Sequence, residues 1–153
     1  MKIEAKLAEM GIELPNAPAP LAAYIPVRAS GNLVFVSGQG PLVNGKPVST
    51  GKVGRELTIE EGKLAARACA LNLIAQLKKY LGDLDRVVKI VSLRGFVACA
   101  DDFYEQPQVM NGASELFAEI FGEAGQHARA ALGTNALPMN IPVEVELVAE
   151  FSD

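Results

Sequence analysis

The sequence predicts an α+β fold, one sheet with helices packed on one of its faces. Three observations carry this. A capping box opens a long helical pattern at Thr58. A proline-free, β-branched run crosses Arg86–Ala98. A strictly alternating run occupies Ile141–Phe151. Helical and strand periods in one chain of 153 residues, in the order β-β-α-β-α-β-β, suit a single core with the helices gathered on one side.

Lys2–Met10 comes first. It puts Ile3, Leu7 and Met10 on one helical face before Gly11, the pattern of a short helix with a glycine stop. Leu14–Pro20 holds three prolines in seven positions and reads as an extended linker. Leu21–Ala29 can form a short strand, irregular or at an edge because of Pro26. After the turn Ser30-Gly31-Asn32, the apolar run Leu33–Ser37 ends in Ser37-Gly38-Gln39-Gly40-Pro41. That ending is either a plain turn or a loop that lets a ligand approach the backbone. The glycine-bearing stretch Val43–Arg55 is a loop with room for one short hairpin.

Thr58 with Glu61 forms the capping box, and Gly82 supplies the other end of the helix. Leu64, Ala68, Leu71, Ala75 and the Lys78 stem recur along it at helical spacing, widened by Ile74, Leu77 and Leu81. The strand over Arg86–Ala98 is apolar at both parities, with Val87, Val91, Leu93 and Val97 on one face and Val88, Ile90 and Phe96 on the other. Such a strand must be covered twice. Helices can cover one face, and a second copy of the chain is the simplest cover for the other. Asp101-Asp102 offers an N-cap, a short turn spans Phe103–Gln106, and a helix from Pro107 to Phe121 buries Met110, Ala113, Phe117 and Ile120.

The last part of the chain carries the candidate chemistry. Arg129 stands in an alanine-rich strand-like run, where its guanidinium needs an anion or water because it cannot shed its charge. A structural ion pair or a solvated face satisfies that need; so does a bound acid. In Ile141–Phe151, Glu144, Glu146 and Glu150 share one side with Val148 between them, and Ile141, Val143, Val145, Leu147, Ala149 and Phe151 share the other.

Several function classes are excluded or disfavoured. Net charge is −4 with no basic cluster, so the electrostatic footprint of a nucleic-acid binder is missing. Cys69 and Cys99 sit singly in apolar patterns and read as buried hydrophobes. One histidine and two separated cysteines give a metal little to bind. Met1–Met10 lacks the apolar centre of a signal peptide, and no apolar run is long enough to span a bilayer. A reducing, cytoplasmic setting is expected.

The ordered set of anchors resembles the RidA (YjgF) family of reactive intermediate deaminases, also known by the older label endoribonuclease L-PSP. The anchors are Tyr24, the run Gly31–Pro41, Asn72, Asn111, Ala128-Arg129, Leu137-Pro138 and Val143-Glu144-Val145-Glu146. They cover Ala19–Glu150, and residues 1–20 look like an added helix and proline-rich extension to a single domain. The resemblance implies a chorismate-mutase-like fold of the bacillus type, assembled as a homotrimer with three clefts between subunits. It implies hydrolysis of enamines and imines such as 2-aminoacrylate to a 2-oxo acid and ammonia, with no metal or organic cofactor. By position, Arg129 would hold the substrate carboxylate and Glu144 would position or activate water. Tyr24 and Asn111 would line the cleft, Ser37 and Gly38 would approach the ligand, and the Ala131 backbone would contact the water.

Three departures accompany these matches. Ala131 replaces a commoner cysteine or threonine, His127 replaces a proline, and Tyr104–Val109 is about a turn longer. Strand parity alone places His127 on the face of Arg129, and it reads as a bystander. A non-catalytic trimer that binds or senses small 2-oxo acids would keep Arg129 and dispense with Glu144. A ribonuclease would need cationic or histidine catalysts that this acidic chain does not cluster.

Overall fold

The computed structural model describes residues 2–153. Its main sheet has five strands in the order β1-β2-β7-β5-β6. These are β1 (Val27–Ser30), β2 (Leu33–Gln39), β5 (Val87–Ala98), β6 (Ala128–Thr134) and β7 (Val143–Phe151). All neighbours are antiparallel except β5 and β6, so the sheet is mixed. Two small strands, β3 (Leu42–Val43) and β4 (Lys46–Pro47), form the expected hairpin. Helices α2 (Ile59–Leu81) and α3 (Gln106–Phe121) lie on one face, and α1 (Lys2–Glu9) adds Leu7 to the same core.

The capping box at Thr58 is complete, with Thr58 accepting from the Glu61 amide and Glu61 from the Thr58 amide. The predicted stripe of α2 holds in part: Ile74, Ala75, Leu77 and Leu81 are buried, whereas Leu64 is 65% exposed. Ala65, Ala66, Cys69, Ala70 and Leu73 complete the buried face. Small residues let the helix approach its neighbours closely, so the core face is turned away from Leu64. Part of that stripe, Ala68 and Leu71, faces the linker at Leu14–Asn16 instead.

Helix α3 buries Met110, Ala113, Phe117 and Ile120 as expected, together with Val109, Leu116 and Phe121. Its N-cap is Glu105, without a side-chain capping bond, and Pro107 sits in the first turn. Asp101-Asp102 lies in a preceding turn and does not cap it. Gly112 is where α3 crosses α2, and an added Cβ there would come within 2.1 Å of the Lys63 carbonyl oxygen. Backbone against backbone cannot yield, so Gly112→Ala is expected to destabilise by about 2 kcal/mol, read as a lower denaturant midpoint.

Three further expectations are corrected. Leu21–Tyr24 bends rather than forming strand, and β1 starts at Val27, after Pro26. Ile141 precedes β7, because Pro142 has no N–H for the ladder. In β5, register shifts between Val87 and Lys89 and between Ile90 and Ser92 turn Ile90 inward beside Leu93. A bulge adds a residue and so reverses the parity beyond it. The uncovered face still carries apolar side chains, with Phe35, Val88 and Leu132 exposed. Ion pairs Arg94–Glu146 at 3.3 Å and Lys89–Glu150 at 3.3 Å lie among them.

Candidate active site

Directly paired residues share a face of the sheet, and the registers place the candidate residues accordingly. Arg129 pairs with Leu93, Leu93 with Leu147, and Leu147 with Val36. This row lies beneath the helices and ends at Arg129 on the edge strand β6, where the guanidinium is exposed. Glu144 pairs with Phe96 and Phe96 with Leu132, a row on the opposite face. A single chain therefore does not bring Arg129 and Glu144 together; it presents two separate groups.

The first group gathers around Arg129. Its Nη1 donates to Asn111 Oδ1 at 2.8 Å and to Ser114 Oγ at 3.2 Å. Asn111 and Ser114 are one turn apart on α3 and so share a helix face. Ser114 Oγ lies 2.9 Å from His127 Nε2, and His127 Nδ1 lies 2.7 Å from the Gly125 carbonyl. A carbonyl only accepts, so in the neutral ring Nδ1 carries the proton and Nε2 accepts from the Ser114 hydroxyl. Ser114 then has lone pairs to receive Arg129. His127 precedes β6 and packs edge-on against Phe117, with ring centroids 6.1 Å apart. It therefore orients Ser114, a role that the reading of it as a bystander missed. A mid-helix serine has no signature in the sequence, so Ser114 was not legible there.

Among the described residues Arg129 makes no ion pair. Both of its protein hydrogen bonds leave from Nη1, and the residue is exposed. Ala131 lies two positions on, half-buried on the same face of β6.

The second group surrounds Glu144. A cavity of about 290 Å³ is lined by Glu144, Tyr24, Gly38, Gln39 and Gly40, together with Pro18–Leu21, Met139 and Ile141. A bulge in β2 between Val36 and Gln39 sets Gly38 against the Glu144 side chain. A Cβ on Gly38 would stand 2.9 Å from both Cδ and Oε2 of Glu144, so a glycine is what lets the carboxylate lie flat on the strand. Burial, with a smaller contribution from Glu146, pushes the Glu144 carboxyl above the usual carboxylate range. Ser37 is turned away from this cavity. It lines a separate one on the uncovered sheet face with Arg28, Phe35, Arg94 and Glu146, and its hydroxyl is buried without a protein partner.

The loop carrying these groups is fixed from α2. Asn72 donates to the Gly40 and Leu42 carbonyls, both at 2.9 Å. Gln76 donates to the Pro18 carbonyl at 2.7 Å and to Gln39 Oε1 at 3.3 Å. Cys69 is buried, which pushes its thiol well up and leaves it a packing residue. Cys99 is likewise buried. Glu4, Asp83 and Asp85 cluster closely enough to share a cation. They are occupied as structural acceptors, however. Asp85 takes the Lys2 and Ile3 amides, Asp83 takes the Asp85 amide, and Glu4 takes Lys78.

A mixed five-stranded sheet with two long helices on one face is the α+β, chorismate-mutase-like class. Comparison with known proteins narrows it. Residues 4–151 match the family model described as "YjgF/chorismate_mutase-like, putative endoribonuclease". The chain is 44% identical over 153 residues to Protein TCP17 of Trypanosoma cruzi, covering 99% of this chain and 96% of that one. It is 28% identical over 134 residues to a RutC family protein of Pyrococcus horikoshii, covering 88% and 91%. The crystal structure of Atu1372 from Agrobacterium tumefaciens superposes with a TM-score of 0.92 at 45% identity, covering 99% and 93%. The Escherichia coli YjgF gene product, at 23% identity with a TM-score of 0.66 and coverage of 88% and 93%, shares the fold. The chain belongs to the YjgF/RutC family. No helix among the described residues is long and apolar enough to cross a membrane.

Proposed function

We propose that the protein hydrolyses reactive 2-imino acids and their enamine tautomers, of the 2-aminoacrylate/2-iminopropionate type, to a 2-oxo acid and ammonia. The observation that carries this is Arg129, an exposed guanidinium held by Asn111 and Ser114 through one nitrogen and committed to no carboxylate among the described residues. A planar fork with free parallel donors fits a carboxylate in two-point contact. Glu144 supplies the other half. A carboxylate of raised basicity beside a cavity suits removal of a proton from water.

In the reaction, the enamine takes a proton on carbon to become the iminium ion. Water adds to the C=N carbon, its proton passing to Glu144, and a neutral carbinolamine forms. Glu144 returns that proton to the nitrogen, which leaves as ammonia while the hydroxyl releases its own proton and the C=O bond forms. Nothing in this sequence requires a metal or organic cofactor.

Because Arg129 and Glu144 lie on opposite faces of one sheet, the cleft that joins them is formed by two chains. A homotrimer, in which each uncovered sheet face meets a neighbour, accounts for Phe35, Val88 and Leu132 on that face. A cytoplasmic setting, where such intermediates arise, completes the reading. The test is to generate 2-aminoacrylate in situ and follow its loss with formation of pyruvate and ammonia. Rates no faster than the spontaneous reaction would overturn the proposal. In that assay Ser114→Ala, which leaves Arg129 only Asn111, is expected to raise KM about fivefold, the worth of one hydrogen bond of about 1 kcal/mol.

A small-acid binding or regulatory protein is the second reading. Arg129 alone supports it, and the half-buried Glu144 favours the hydrolase.

A further inference from the structure

We propose that Pro18–Leu21 and Met139 form the side-chain subsite of the Glu144 cavity, selecting 2-imino acids with an extended apolar side chain over 2-aminoacrylate. This rests on the imine hydrolase reading and specifies its substrate class. The N-terminal extension would then be part of the site rather than an appendage.

The cavity lining combines two unlike sets of residues. Glu144 lies against Gly38, and Pro18, Ala19, Pro20, Leu21, Met139 and Ile141 supply apolar surface. Among the lining residues Glu144 is the one charged group, so a ligand group resting on that apolar surface meets no charge there and gains by being apolar itself. At about 290 Å³ the space approaches the small-molecule sites of roughly 300–1,000 Å³. One water takes about 30 Å³ of liquid, so a three-carbon acid would leave much of the cavity unfilled.

The wall is fixed in place. Prolines restrict the linker's backbone. The Pro18 carbonyl accepts from buried Gln76, whose amide also holds Gln39, a residue lining the same cavity. Met139 and Asn140 have φ of 59° and 56°, a left-handed conformation unusual for residues with side chains. Surroundings must over-determine such a backbone for it to persist, and such positions gather at ligand-contacting segments. The result holds the Met139 side chain at the rim, 49% exposed, near Leu21, 77% exposed. Large apolar groups held in water at a cavity mouth gain by covering an apolar guest.

The experiment uses the full chain and imino acids made in situ by an amino-acid oxidase from alanine, 2-aminobutyrate, norvaline, leucine and methionine. Affinities for pyruvate, 2-oxobutanoate and 4-methyl-2-oxopentanoate are measured in parallel by calorimetry. In the wild type, kcat/KM is expected to rise about fourfold per methylene that enters the subsite. In the double variant Leu21→Ser, Met139→Gly the long-to-short ratio is expected to collapse towards one. Both positions are exposed, and glycine suits the Met139 backbone, so the variant folds. Leu64→Ser, on the outer face of α2, serves as the control and should keep the ratio. A flat wild-type series, or an unchanged ratio in the double variant, overturns the subsite. If no imine is hydrolysed but oxo-acid affinity still rises with chain length and falls in the double variant, the subsite stands and the hydrolase reading fails.

Discussion

Replacing Glu144 with glutamine is expected to lower kcat for imine hydrolysis by about 10²–10⁴-fold, the usual contribution of a positioned general base. Glutamine keeps the shape that lies against Gly38, so the cavity is retained. Calorimetric affinity for pyruvate should be unchanged or improved, since a negative charge near an anionic ligand is removed. Equal loss of binding and turnover would mean that Glu144 holds the site together and does no proton transfer. The same variant has a stability signature. Burial raises the Glu144 pKa in the folded state above its unfolded value, so the folded protein binds that proton more readily. Stability therefore falls as pH rises between the unfolded and folded values, and stays lower above the folded one. Glu144→Gln should lose that slope and be more stable than wild type at higher pH, as read from denaturant midpoints between about pH 4 and about pH 8.

Replacing Arg129 with lysine is expected to lower kcat/KM by about 10–100-fold, with KM carrying most of the change. Lysine keeps the charge and loses the two-point contact. Losing one charge-assisted hydrogen bond costs about 1.5–3 kcal/mol. The hydrogen bonds to Asn111 and Ser114 show that this side chain is positioned through Nη1 alone. Lysine cannot occupy that anchor and still present a parallel pair of donors. A variant with wild-type kcat/KM would show that Arg129 serves only the packing of β6 on α3.

These positions also show what a single sequence discloses. The long helix was readable because Thr58 and Glu61 are a local signal, and β7 because its alternation is local too. The inward turn of Ile90 was not, because a bulge is defined by the partner strand. The core face of α2 was legible at Ile74, Leu77 and Leu81 but not at Ala65, Ala66 and Ala70, because buried alanines carry less hydrophobic signal than Leu64, which faces solvent. Family resemblance singled out Arg129, Asn111, Gly38, Tyr24 and Glu144. The structure joins the first two to each other and the last three to one cavity. Ser37 opens elsewhere. Ser114 and His127 needed coordinates, because a helix position and a residue before a strand become neighbours only through packing.

The placement of Arg129 and Glu144 on opposite sides of β-structure has a genetic meaning. If every working cleft borrows one residue from each of two neighbours, inactivity is not a property of a single polypeptide. Arg129→Lys and Glu144→Gln proteins, each impaired alone, should complement when unfolded together and reassembled. In a closed ring of randomly mixed copies about a quarter of the clefts would regain both native groups.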